Sequence, residues 1–195
     1  YNGVNYRIAD GAFAYNDKLT SVTLGNGVKS VGEYAFLGCS NLQSISIGAN
    51  VSSVWSGAFS FCGNLTEISV DAGNTAYYSE GNCLIETSSG TLLFGSASGV
   101  VPDGVKIIGD AAFALYEKLE RVIVPESVEE IGDRSFFGCE NLTSVVIPAG
   151  IRSVRQNSFS WCNSLQAVYY TGEEWNISDL NMPVYSANEW EYIDG

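Results

Sequence analysis

"VGEYAFLGCSNLQSISI" at residues 31–47 returns, a hundred residues on, as "IGDRSFFGCENLTSVVI" at 131–147. Aligned on the Phe of this stretch, Phe13, Phe36 and Phe59 fall at intervals of 23, and so do Phe113, Phe136 and Phe159. The neighbouring offsets recur too. Ala or Ser precedes each Phe, at Ala12, Ala35, Ala58, Ala112, Ser135 and Ser158. Leu follows six residues later, at Leu19, Leu42, Leu65, Leu119, Leu142 and Leu165. Nine and eleven residues later come the pairs Val22/Leu24, Ile45/Ile47, Ile68/Val70, Val122/Val124, Val145/Ile147 and Val168/Tyr170. Six aligned copies at one period define a repeat solenoid.

The offsets carry the architecture. Two apolar residues two apart, rich in Val and Ile, form a short strand with one buried face. One unit is too small to hide that face, so equivalent strands stack in parallel, roughly 4.8 Å apart. A second apolar pair supplies the opposite wall: Val28/Val31, Val51/Val54, Val105/Ile108, Val128/Ile131 and Ile151/Val154. Phe36, Cys39 and Leu42 are spaced by three, which suits a 3-10 or short helical turn between the walls. Gly25-Asn26-Gly27, Pro125-Glu126-Ser127 and Pro148-Ala149-Gly150 mark the joints. "YNGVNYRI" at 1–8 reads as a poor opening wall, and Asn16 and Tyr116 stand where the other copies carry Cys.

The interval from Phe59 to Phe113 is 54 residues, 31 more than one repeat. An insertion therefore interrupts the stack. Within it, "NCLIE" (82–86) and "TLLF" (91–94) flank "TSSG" (87–90), the pattern of a β-hairpin. One domain over 1–195 is expected, with repeats over about 4–70 and 104–171, the insertion over about 71–103, and a C-terminal cap over about 172–195.

Composition bounds the function. Apolar residues make up 46% of the 195, and no apolar run approaches the ~18 residues of a membrane span, so no membrane insertion is expected. Twenty-two acids against nine bases give a net charge of −13, and Arg155 is the last basic residue. Such a surface repels phosphate backbones, so no nucleic-acid partner is expected. The chain contains no His, which removes the commonest general base and the commonest zinc ligand. No charged-then-apolar leader is visible and the sequence opens at Tyr1, so a mature or trimmed chain is expected.

The pattern resembles the bacterial BspA-type leucine-rich repeat family. The resemblance rests on "VKSVGEYAFLGCSNLQSISI" (28–47), "VKIIGDAAFALYEKLERVIVP" (105–125) and "VEEIGDRSFFGCENLTSVVIP" (128–148), and covers about residues 4–171. "VYYTGEEWNIS" (168–178) is similar to the closing segment of such arrays. The resemblance implies a right-handed superhelix of short parallel strands, an extracellular or cell-surface location, and adhesion or protein binding. It supplies no catalytic residues and implies no cofactor.

Several features admit a sharp and a plain reading. Cys39 and Cys62 are 23 apart, as are Cys139 and Cys162. Stacked thiols could form disulfides or a soft-metal site, but side chains one strand-spacing apart rarely meet bridge geometry. Buried free thiols are expected, with Cys83 also in the core. "NLT" at 64–66 and 141–143 and "NIS" at 176–178 match the glycosylation pattern. The first two occupy a repeat position, so packing explains them.

On the strands, alternate side chains point outward. The outward column reads Thr23, Ser46 and Ser69 before the insertion, then Ile123, Val146 and Tyr169 after it, with Arg121 flanking. An apolar strip on an exposed sheet suggests a partner surface, unless the insertion or the aromatic C-terminal segment folds over it. Trp55 holds a column otherwise occupied by Ala9, Gly32, Gly109, Gly132 and Arg155, and Phe61 and Trp161 stand where Gly38 and Gly138 stand. Such aromatics either anchor a partner or sugar, or pack between turns. The tail over 172–195, with Trp175, Tyr185, Trp190 and Tyr192, fits a cap and lacks the spacing of a Ca²⁺ loop.

With no nucleophile–base pair in view, no enzyme is expected. The sequence supports a surface-exposed interaction or adhesion module that is a monomer, binding a protein or glycan on a host or neighbouring cell through Arg121, Ile123, Val146, Tyr169, Trp55, Phe61 and Trp161. The alternative is a spacer array within a larger secreted or cell-wall protein.

Overall fold

The structure, a computed structural model, describes residues 5–55, 57–97, 99–155, 157–172 and 184–186. Two blocks of three repeats each carry a front and a back ladder of parallel strands. In the first block the front strands are Ser21–Leu24, Ser44–Ile47 and Glu67–Val70; the back strands are Tyr6–Ile8, Val28–Val31 and Ser53–Val54. In the second block the front ladder runs Arg121–Ile123, Ser144–Ile147, Ala167–Tyr170 and Val184–Ser186. Its back strands are Ile107–Ile108, Glu130–Ile131 and Ser153–Val154.

Register follows the repeat. Val22, Ile45 and Ile68 are partners across the first front ladder, as are Val122, Val145 and Val168 across the second. All six are buried. The N-terminal stretch departs from expectation: Tyr6–Ile8 is a regular back strand paired with Val28–Val31, with one irregularity between Tyr6 and Arg7. The segment looked poor because Arg7 interrupts it, yet that side chain turns outward and pairs with Asp10 at 2.6 Å.

Between the walls the chain makes the expected tight turns as i→i−3 bonds, alternating with bonds to the next unit. Ala12 N–H donates to Ala9 C=O and Ala14 N–H to Gly11 C=O, whereas Gly11, Phe13 and Tyr15 donate to Glu33, Ala35 and Leu37. This alternation satisfies every second donor locally and spends the others on holding units together.

Two inward ladders line the core. Phe13, Phe36 and Phe59 stack with ring centroids 5.1 and 4.8 Å apart; Phe113, Phe136 and Phe159 do so at 5.2 and 5.3 Å. Beside them run the cysteines, all buried and free. Cys39, Cys62, Cys139 and Cys162 each donate to the carbonyl of the Phe one unit earlier, at 3.0–3.3 Å. Burial pushes the Cys62 and Cys83 thiols up to about 12, and Cys39 also rises, chiefly through burial. These are space-filling donors rather than nucleophiles. Nearer solvent, Asn41, Asn64 and Asn141 donate to Asp17, Ser40 and Glu117 carbonyls of the preceding unit at 2.6–2.9 Å. Thr66 and Thr143 reach back similarly to Gln43 and Glu120. The two "NLT" strings are thus interunit braces; "NIS" at 176–178 lies outside the described residues.

The insertion is built into the stack. Cys83–Glu86 and Thr91–Phe94 form the expected antiparallel hairpin, and Tyr77–Glu80 adds a third strand that the sequence reading did not anticipate. Its Tyr-Tyr-Ser-Glu run lacks the aliphatic signal of its neighbours. Thr91–Phe94 then pairs parallel with Ile107–Ile108, extending the second block's back wall to six strands. At the seam Phe94 meets Phe59 edge-on at 5.3 Å, and Gly95 N–H donates to Ala112 C=O. Gly95 has no room for a side chain: a Cβ there would fall 1.9 Å from the Phe113 ring. Tyr116, in the cysteine column, reaches across to donate to Gly95 C=O at 2.7 Å. Its larger ring fills the wider gap that the insertion creates.

The expected C-terminal cap lies outside the described residues except for Val184–Ser186, which pairs parallel with Ala167–Tyr170. Among the described residues no helix is long and apolar enough to cross a membrane.

Candidate functional site: the turn edge

The turns carry two columns of left-handed backbone, at the second residue before and the second residue after each stacked Phe. The first column is Gly11, Tyr34, Gly57, Ala111, Arg134 and Asn157, with φ between 52° and 66°. The second is Tyr15, Gly38, Phe61, Leu115, Gly138 and Trp161, with φ between 59° and 68°. Glycine accepts this conformation freely, whereas each L side chain there costs about 1–2 kcal/mol. Eight of these twelve positions nevertheless hold a side chain.

The occupied positions alternate with glycines through the first block, and Leu115, Gly138 and Trp161 do so in the second, whereas Ala111, Arg134 and Asn157 follow one another with no glycine between them. A Cβ on Gly38 would meet the Tyr15 ring at 2.8 Å, one on Gly57 would meet the Tyr34 ring at 2.5 Å, and one on Gly138 would meet Leu115 at 2.4 Å. Tyr15, Tyr34 and Leu115 each lie over the glycine of the next unit. The result is a row of rings along one edge: Tyr15 is 72% exposed, Tyr34 50% and Trp161 70%. Near the seam Phe61 and Phe137 sit 6.3 Å apart, and Phe137 and Trp161 are likewise 6.3 Å apart. Two clefts flank Phe61 where the blocks meet. One of about 360 Å³ is lined by Tyr34, Ser60, Phe61, Asp110, Asp133 and Arg134. The other, of about 180 Å³, lies among Ser40, Phe61, Leu115, Glu117 and Lys118.

The residues singled out from sequence fall into separate places. Phe61 and Trp161 lie on the turn edge as their glycine column implies. Trp55 is exposed at the end of the back strand Ser53–Val54, away from that row. The front strip is not the open surface expected. Ile123, Val146 and Tyr169 do share one rung, but Val146 and Tyr169 are each 7% exposed and pack with Ala167 in a small cluster of their own. Each is flanked on both sides along the ladder, Val146 by Ile123 and Tyr169, and Tyr169 by Val146 and the Tyr185 position. Only Ile123, beside exposed Arg121, stays open on this face. Sequence reasoning missed Tyr15, Tyr34, Leu115, Phe137 and Ser60. For Tyr34 the signal was legible: it interrupts a glycine column between Gly11 and Gly57.

A coil of parallel front and back ladders, with a Phe/Cys/Leu core and asparagine-braced turns, defines a leucine-rich repeat solenoid. The family model for the BspA type leucine rich repeat region matches in six copies over residues 5–90 and 96–182, and the chain belongs to that family. Among solved structures it is similar to a leucine rich cell surface protein from Faecalibacterium prausnitzii. Identity there is 25%, over 88% of this chain and 60% of that one, with a TM-score of 0.53. A leucine-rich repeat protein from Bacteroides ovatus gives 25% identity over 93% of this chain and 45% of its own, with a TM-score of 0.59. The pneumococcal vaccine antigen PcpA shares the fold at 15% identity and a TM-score of 0.56, over 96% of this chain and 68% of its own. The chain thus spans only 60% of the first of these relatives and 45% of the second. No curated protein matches it significantly.

Proposed function

We propose that the chain is a non-catalytic, surface-displayed interaction module whose contact surface is the aromatic turn edge. The observation that carries this reading is the occupation of left-handed positions by Tyr15, Tyr34, Phe61 and Trp161, where Gly serves equally in neighbouring units. Strained residues that the fold does not require concentrate where a surface is used. Rigid, half-wet aromatic rings are also what protein-binding hot spots are made of. Ile123 and Arg121 form a lesser patch on the front face. The similarity to a bacterial cell-surface repeat protein supports the surface location.

The test is capture on an array of extracellular-matrix and bacterial surface proteins, comparing the parent chain with a Tyr15→Gly/Tyr34→Gly/Trp161→Gly variant. Capture by the parent and loss in the variant is the expected result. Equal capture by both would move the contact surface off the edge, and no capture by either would overturn the module reading.

A further inference from the structure

The larger seam cleft holds a group that the fold does not explain. Ser60 is 4% exposed, yet its Oγ has no hydrogen-bond partner among the described residues. Burying a hydroxyl unpaired costs about 1–3 kcal/mol. The same position in other units is Ala14, Leu37, Ala114, Phe137 or Ser160; only Ser160 among these carries a hydroxyl, and it donates to Asn157 Oδ1 at 3.4 Å, so the stack has no general need of an unpaired hydroxyl there. Ser60 lines the cleft of about 360 Å³, within the roughly 300–1,000 Å³ typical of ligand pockets.

The rest of the lining is complementary in kind. Tyr34 and Phe61, from the first block, bring aromatic rings. Asp110, Asp133 and Arg134, from the second, bring acceptors and a planar donor. Asp110 already accepts the Asp133 N–H at 2.8 Å, and Asp133 lies 3.8 Å from the Arg134 guanidinium. An ionised carboxylate has about four lone-pair sites, so each keeps acceptor capacity to spare. Because Arg134 offsets one of the two acids, the cleft favours a neutral, hydroxyl-rich ligand over a cation. A pyranose ring has this combination, an apolar C–H face for an aromatic ring and a rim of hydroxyls for Asp, Arg and Ser.

We propose that the seam cleft is a saccharide subsite that binds one pyranose unit. In it Phe61 and Tyr34 take the C–H face, Asp110 and Asp133 accept ring hydroxyls, and the Ser60 hydroxyl gains the partner it lacks. The subsite exists because the insertion parts the two blocks at this point: aromatic rings come from one side and charges from the other. The proposal deepens the turn-edge reading and rests on it, in that the same edge supplies Phe61.

Saturation-transfer NMR on the intact chain tests it, with glucose, galactose, mannose and N-acetylglucosamine as probes, each also as its methyl glycoside. Transfer to at least one pyranose is expected. Phe61→Ala should weaken binding about tenfold, and Ser60→Ala about fivefold, the worth of one neutral hydrogen bond. Ser135→Ala, which removes the other buried unpaired hydroxyl among the described residues but lines neither seam cleft, is the matched control and should bind as the parent does. Transfer kept on methylation marks a residue within a glycan; transfer lost marks a free sugar. No transfer from any probe, or transfer unchanged in both Phe61→Ala and Ser60→Ala, would overturn the subsite. Protein capture without saturation transfer sinks the subsite alone, whereas transfer without protein capture sinks the partner reading alone.

Discussion

The two repeat blocks share one interior and differ most on the surfaces they show. Their Phe stacks have nearly the same spacing, and their thiols bond to the same carbonyl one unit back. Outside, the front rung of the first block is Thr23, Ser46 and Ser69, while that of the second is Ile123, Val146 and Tyr169. The second back wall carries Arg152–Glu129 and Arg155–Glu130 pairs at 2.8 Å, each at least partly exposed and therefore screened by solvent. Stack spacing dictates what points inward, so copying preserves it. Apart from the asparagine and threonine braces, the stack does not dictate what points outward, and that is where the blocks differ.

If the interiors are equivalent, position along the stack decides the cost of a truncation. Phe136→Ala, buried between two stacked rings, should lower stability by about 4 kcal/mol in urea unfolding. Phe13→Ala removes a ring that is already 40% exposed and should cost about 1 kcal/mol. Equal losses would contradict a stack whose middle rungs carry the cohesion.

The seam breaks the equivalence, and Tyr116 measures by how much. Tyr116→Cys restores the residue that four other units carry, yet it should destabilise by about 3 kcal/mol. It leaves a cavity beside Phe113 and orphans the Gly95 carbonyl. A neutral result would show that the seam closes like any other interunit joint.

The thiol ladder predicts a pH dependence. Folded Cys62 and Cys83 are raised to about 12 from 9.0, so the unfolded chain loses these protons first. Stability is therefore full below about pH 9 and declines as pH rises from there to about 12. The two thiols together should cost about 2 kcal/mol between about pH 9 and 10. Urea midpoints across this range in parent and Cys62→Ala chains check it; a flat parent profile would contradict the buried, neutral ladder.

A smaller effect separates the two orphan hydroxyls. Ser135→Ala swaps in the Ala that other units carry at this position, and should raise stability by up to about 1 kcal/mol in the same unfolding assay. A loss would mean that the Ser135 hydroxyl has a structural partner.

The period, the two walls, the Phe and Cys columns and the hairpin were all legible in the sequence, because each is a repeated inward constraint. The site was only half legible. The aromatic-for-glycine exchanges at Phe61 and Trp161 pointed to the edge, because a left-handed position advertises itself through the glycines of other copies. The front strip misled: alternation says which way Val146 and Tyr169 point, but not that both are buried. Nor could the sequence reveal the seam cleft, since Tyr34 and Asp133 meet only through the geometry of an insertion between them.

On the proposed reading, the edge aromatics are held against the backbone's own preference, for contact rather than for folding. Urea unfolding of a Tyr15→Gly/Trp161→Gly chain tests it most directly. A stability equal to the parent's or higher by up to about 1 kcal/mol is expected, since glycine relieves two left-handed positions and both rings are mostly in solvent. A fall of more than about 1 kcal/mol would contradict it, and would make these rings part of the scaffold.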